Sequence, residues 1–274
     1  MQIIEIPYLG MDASHQSPLR AQAAVPLFHS ESTARGVLGS AVEGRWHPAI
    51  PNDESAPIEL LQGNSCSQNL AAFKSNSISL LPKTQKSIDI LVASILEKFP
   101  LGDPAVISFV CSEHNPHLEL SCFAACRTLA SMHVGRVLMV DSTTERKLSS
   151  IFKMADNHGL SNLLVDSADW EQAIESVTDS DLEFLAAGTS HWEHWGGESE
   201  LRKLVSHLKK RYQFILVASG EAHSSMAKLW SGLTDGDYLL VSIGNSHPAV
   251  AESAISELQA SGARLMGCIV TDHA

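Results

Sequence analysis

The chain has 274 residues, 44% of them apolar, enough for one large α/β domain or a domain with a tail. Its 31 acidic residues outweigh 19 basic ones by a formal charge of −12, which speaks against a nucleic-acid surface and against a patch for anionic membranes. The five cysteines (Cys66, Cys111, Cys122, Cys126 and Cys268) are odd in number and never spaced C-x-x-C, and four lie in apolar segments, as reduced core cysteines of a cytosolic protein do. The N-terminus shows no basic stretch followed by an apolar run, and no apolar run approaches the roughly 18 residues of a membrane span. A cytoplasmic protein is expected, reaching the inner membrane only through a partner.

Residues 1–82 are rich in Ser, Ala, Pro, Gln and His, with short apolar clusters at 3–6 and 58–61. They read as a poorly ordered N-terminal extension with room for short docking segments. From Thr84 the pattern changes: Ile88, Leu91, Val92, Ile95 and Leu96 recur at helical spacing up to Phe99. A domain over 83–274 starts here. Strand 105–111 follows, then helix 118–132, strand 136–141 and an amphipathic helix over 145–155 closed by Asn157-His-Gly159.

A short helical or irregular piece begins at Leu160, and 182–187 reads as a strand before Gly188. Helix 199–212 sets Leu201, Leu204, Val205 and Leu208 against a basic face. The run 214–218 is apolar throughout, as a buried parallel strand is. Helix 222–233, strand 238–242, helix 247–260 and strand 264–270 complete the alternation. Such alternation predicts a doubly wound, mostly parallel sheet covered on both faces.

In that architecture the loop after the first strand lies where phosphates bind. Here it reads Cys111-Ser-Glu-His-Asn-Pro-His-Leu-Glu-Leu-Ser121. A phosphate cradle needs glycines, so that successive N–H groups converge on the anion, and a lysine to offset its charge. This loop has neither, and it offers Glu113 and Glu119 instead.

Several landmarks then fall in one order: Val137-Leu-Met-Val-Asp141, Gly159-Leu-Ser-Asn-Leu-Leu164, Leu182-Glu-Phe-Leu-Ala-Ala-Gly188, Tyr212-Gln-Phe-Ile-Leu-Val-Ala-Ser219, Thr234-Asp-Gly-Asp-Tyr-Leu-Leu-Val241 and Gly262-Ala-Arg-Leu-Met-Gly-Cys-Ile-Val270. In order and spacing, roughly residues 84–272 resemble the cytoplasmic domain of bacterial tyrosine kinases, the CpsD, CapB and Wzc-like exopolysaccharide autokinases of the MinD/ParA-like P-loop class. The resemblance implies a P-loop NTPase fold, an ATP and magnesium site, and a transmembrane polysaccharide co-polymerase or an active kinase homologue as partner, with homo-oligomers by analogy.

The departures bear on that site. No Gly-Lys precedes Ser121, the one residue that corresponds to the magnesium-coordinating hydroxyl. Of the family's paired aspartates only Asp141 is kept, Thr143 standing in the second place. Ala218 replaces the Walker B aspartate, and the C-terminal tyrosine cluster is missing. Ser121 and Asp141 thus read as vestigial nucleotide-site positions. Charge-assisted bonds to phosphate are worth on the order of 1.5 to 3 kcal/mol each, so their loss removes most of a nucleotide's affinity. Neither a resident cofactor nor family-type phosphoryl transfer is expected.

Other constellations carry less. His114 and His117 with Glu113 and Glu119 have metal-ligand chemistry, but a solvated polar loop that replaced the P-loop accounts for them better. The His191-Trp-Glu-His-Trp195 segment has binding-anchor composition, for a sugar or a metal, and serves equally as a lid over an empty site. A Rossmann reading lacks G-x-G-x-x-G and a hydrolase reading lacks G-x-S-x-G. Cys122 and Cys126, one helical turn apart, read as packing. The expectation is a degenerate kinase homologue with a regulatory or assembly role, the alternative a divergent ATP-binding kinase or ATPase.

Overall fold

The computed structural model describes residues 2–4, 82–165, 170–177, 181–190, 197–243 and 247–272. All belong to one compact unit, and the His191 to Trp195 segment and nearly all of the N-terminal extension lie outside them. In chain order the elements are β1 (Gln2–Ile4), α1 (Pro82–Lys98), β2 (Ala105–Cys111), α2 (Leu118–Ser131), β3 (Val137–Asp141), α3 (Lys147–Ile151), α4 (Leu160–Val165) and α5 (Trp170–Ala173). Then come β4 (Ile174–Ser176), β5 (Leu182–Leu185), α6 (Glu198–Leu208), β6 (Phe214–Glu221), α7 (Ser225–Ser231), β7 (Gly236–Ile243), α8 (Pro248–Ala260) and β8 (Leu265–Asp272).

The strands form one sheet in the order β1-β8-β7-β2-β6-β3-β5-β4. Its six inner strands are mutually parallel, and the two edge strands run antiparallel to their neighbours. The doubly wound α/β fold is therefore present. Period-2 alternation divides β2 between the faces: Ile107 and Phe109 pack under α1 and α2, while Val106 belongs to the opposite core with Leu201, Leu208 and Trp230. Both faces are covered, so the inner strands are mostly apolar, and β2 and β3 are buried at every position.

Local chemistry sets the boundaries. The helix expected over 145–155 is shorter, because Arg146 (φ 52°) precedes it and Lys153 (φ 58°) follows it in the left-handed region. Helix α7 starts where Ser224 caps it by accepting from the Ala227 N–H at 3.1 Å. Both edge strands are additions to the sequence reading. The apolar cluster at the N-terminus supplies β1, with Gln2 abreast of Val270 and Ile4 abreast of Cys268, and three residues at 174–176 pair with β5.

Strand β2 lies between β7 and β6, yet the chain leaves it through α2 for β3 on the far side of β6. In open α/β sheets the crevice that receives ligands lies outside the carboxyl ends of the strands at such a switch in order, here those of β2, β6 and β3.

Candidate functional site

The loop from Ser112 to the start of α2 borders this crevice, and three of its backbone donors are tied down within the chain. Ser112 N–H bonds to Leu240 C=O at 3.0 Å, tying the loop to β7. Pro116 has no N–H. His117 N–H donates to Asn115 Oδ1 at 2.9 Å, and Leu118 N–H to Asn115 C=O at 3.2 Å. The donors of Ser112, His117 and Leu118, in a stretch where a phosphate cradle would aim its amides at an anion, are bonded within the chain.

Asn115 does most of this pinning. It is 3% exposed, and its Nδ2 donates to Ser242 Oγ and Thr271 Oγ1, both at 3.0 Å, clamping the loop onto the ends of β7 and β8. A polar loop in solvent was the expectation here. Instead Ser112, Asn115 and Glu119 are buried, because their polar atoms find partners inside the chain.

Glu119 sits in the first turn of α2, 5% exposed. Burial pushes its carboxyl up to about 7, with the charges of Asp141 and Glu145 adding to the rise and its own amide and Lys147 opposing it. The same burial, with the nearby charges of Glu221 and Glu119, lifts the Cys111 thiol to about 12, and burial raises Cys122 well above the ordinary value. Neither thiol is a nucleophile at neutral pH. One oxygen of Glu113, Oε1, is buried without a hydrogen-bond partner among the described residues.

Asp141 closes β3 and is fully buried. Its Oδ1 accepts from Thr143 N–H (3.1 Å) and Thr143 Oγ1 (2.7 Å), and its Oδ2 from Ser149 N–H (3.0 Å) and Ser149 Oγ (2.7 Å). Four donors saturate this carboxylate, and Ser149 Oγ in turn accepts from Ala187 N–H at 2.9 Å. In register with Asp141 on β6 stands the methyl group of Ala218. Ser121, in the second turn of α2, is buried on the same side of the sheet as Cys122 and Phe123. Beneath β3's end Trp230 Nε1 donates to Ser142 Oγ at 2.7 Å, filling the space between α7 and the sheet with an indole.

On the rim His114 lies between carboxylates, its Nδ1 3.5 Å from Glu145 and 3.8 Å from Glu221, with Lys147 Nζ 3.4 Å from its Nε2. Lys147 also pairs with Glu145, and His223 with Glu221 at 3.1 Å. Among the described residues no three His, Cys, Asp or Glu side chains converge as a metal ion requires. A separate recess, lined by Arg136, Trp170, Glu183, Arg211 and Tyr212, lies at the opposite, amino ends of β3, β5 and β6. There Arg136 covers Tyr212 and Arg211 covers Trp170, each guanidinium also paired with a glutamate.

No protein-family profile and no curated protein matches the sequence. Among solved structures, the VpsO kinase domain superposes with a TM-score of 0.61 at 18% identity, over 70% of this chain and 96% of that one. The BceF tyrosine kinase domain gives 0.62 at 23% identity, over 76% and 89%. The chain has the bacterial tyrosine-kinase fold. The septum site-determining protein MinD of Pyrococcus horikoshii, complexed with Mg-ADP, gives 0.51 at 23% identity, over 61% of this chain and 70% of that one, which extends the likeness of fold to the P-loop ATPases. Within that tyrosine-kinase fold the described residues include no helix long and apolar enough to cross a membrane.

Proposed function

We propose that this chain is a catalytically degenerate homologue of the exopolysaccharide-biosynthesis tyrosine kinases, working by contact as a regulatory or assembly subunit. Its partner is a transmembrane polysaccharide co-polymerase or an active kinase of the same fold, which it meets from the cytoplasm. One observation carries the reading: the loop at the amino end of α2 has neither a glycine nor a lysine to gather donors on a triphosphate, and its amides at Ser112, His117 and Leu118 are engaged within the chain. The saturated Asp141 and the methyl of Ala218 support it, since the oxygens of Asp141 are already committed to Thr143 and Ser149 and Ala218 offers a magnesium ion no ligand. Ser121 and Asp141 keep the places of nucleotide-site residues and serve the fold.

The test is an affinity measurement with the full chain. Calorimetry with Mg·ATP and Mg·ADP is expected to give no binding below millimolar concentration, and the chain, added to an active kinase and its co-polymerase, to change the rate of autophosphorylation. Low-micromolar nucleotide binding with turnover would overturn the proposal.

A second reading, a divergent ATPase or kinase, draws on Lys147. Its ammonium group lies within electrostatic range of Glu119 from outside the loop, a cation that reaches the crevice from α3. Under that reading Lys147→Ala abolishes nucleotide binding, whereas a degenerate site gives none to abolish.

A further inference from the structure

Each edge of the sheet is closed by a three-residue antiparallel strand, β4 beside β5 and β1 beside β8. The two edges differ in charge. Strand β4 reads Ile-Glu-Ser with Glu175 exposed, and a charge on an edge strand is one of the devices that stop a sheet from pairing with another. Strand β1 reads Gln-Ile-Ile, and its neighbour reads Leu-Met-Gly-Cys-Ile-Val-Thr from Leu265 to Thr271, with neither a charge nor a proline. An uncharged run of this kind pairs with strands of other chains once its edge is bared. Strand β1 covers only Cys268 to Val270, and among the described residues no other strand lies along the outer edge of β8. It is joined to α1 through residues 5–81, far more chain than an ordinary connection, so three backbone pairs are set against a large entropy of loop closure.

We propose that the outer edge of β8 is a self-association surface guarded by β1, and that its partner is a second copy of this chain paired through the same strand. Two identical strands running antiparallel are related by a two-fold axis, so one patch serves both copies. Cys268 stands at the middle of the uncharged run and meets its own counterpart on that axis, with Leu265 abreast of the partner's Thr271 and Met266 abreast of the partner's Val270. No like charges are brought together along the run, and Cys268 itself is a half-buried free thiol. Residues directly opposite in an antiparallel pair lie about 4.5–5.5 Å apart at Cα, within the span of a disulfide, so a bond between the two copies of Cys268 reports this pairing. Strand β7 separates β8 from β2, and the surface is independent of what the crevice binds.

The experiment compares the full chain with its Ile3→Pro/Ile4→Pro variant, both carrying Cys66→Ser, since Cys111, Cys122 and Cys126 are buried and Cys268 is then the thiol left to react. Neighbouring residues of a strand aim their N–H groups to opposite sides, so the two prolines remove a ladder donor whichever of them faces β8. Sedimentation velocity is expected to find the chain with intact β1 monomeric, and the proline variant dimeric with a dissociation constant at least about tenfold lower. Mild oxidation is expected to link that dimer through Cys268. A proline variant that melts cooperatively and associates no more tightly than the chain with intact β1 would overturn the proposal. So would a dimer that oxidation does not link through Cys268. If the proline variant does not melt cooperatively, Ile3→Gly/Ile4→Gly replaces it with the same two outcomes, since glycine weakens a strand without removing an N–H.

Discussion

The hydroxyl of Ser149 donates to Asp141 Oδ2 at 2.7 Å while accepting the N–H of Ala187 at 2.9 Å, so one small side chain joins the ends of β3 and β5 through α3. An aspartate at a strand end over a crevice invites a metal-binding interpretation. This one is committed to its own fold. Ser149→Ala leaves a buried carboxylate short of one donor and a buried amide without an acceptor, each costing about 1–3 kcal/mol. Urea unfolding is expected to show a loss within or above that span, with the m-value unchanged. A loss below about 0.5 kcal/mol would mean that water replaces the hydroxyl.

Glu119 sets a pH dependence with a definite sign. Its carboxyl lies at about 7 in the folded chain against an ordinary 4.5, so the folded state binds more protons between those values. The stability contributed by this group is fully present below the unfolded value and is lost as pH rises through about 7. Asp237, raised by burial to about 6 from 3.8, acts in the same direction over a lower window. Glu119→Gln is expected to flatten the upper part of the stability profile and leave the lower part, read by chemical denaturation at half-unit pH steps. An unaltered profile contradicts the assignment.

Gly159 packs against backbone: a Cβ there would lie 2.2 Å from Ala186 O and 2.5 Å from Gly188 N. Neither can swing aside as a side-chain tip can. Gly159→Ala is expected to cost about 1–3 kcal/mol, the range of overpacking, and to lower the melting temperature accordingly. Gly102 tests the contrast, since it meets nothing within 4 Å and answers only for its φ of +106°.

Trp230 and Ser142 offer a cleaner pair. Trp230→Phe deletes the indole donor and leaves the Ser142 hydroxyl buried, a loss of about 1–3 kcal/mol plus the missing ring volume. Adding Ser142→Ala is expected to recover part of it, and a double-mutant cycle measures the coupling. Zero coupling would remove the bond from the account.

The sheet was legible because buried parallel strands are written as unbroken apolar runs, such as Phe214 to Ala218, and α1 and α6 as stripes at helical spacing. Strands β1 and β4 were not, since three residues carry too little periodicity and their pairing is decided by a free sheet edge. The missing lysine and glycines in the loop could be read directly. The positions of Asn115 and Glu119 could not: polar letters between two elements look solvated until the fold brings Ser242 and Thr271 within reach of one and buries the other in the first turn of α2. The signal available was Asn115 two residues before His117, the spacing of an Asx turn. Asp141 stands out in the sequence as the end of a strand, but its partner Ser149 lies eight residues on, across a turn the sequence does not announce.

The most direct measurement of the central claim is isothermal calorimetry of Mg·ATP against the full chain at pH 7.5, with an active tyrosine-kinase domain of the same fold as positive control. The account predicts no saturable heat for this chain up to millimolar nucleotide. A saturable isotherm with a micromolar dissociation constant would show that the crevice still holds a triphosphate, and would contradict it.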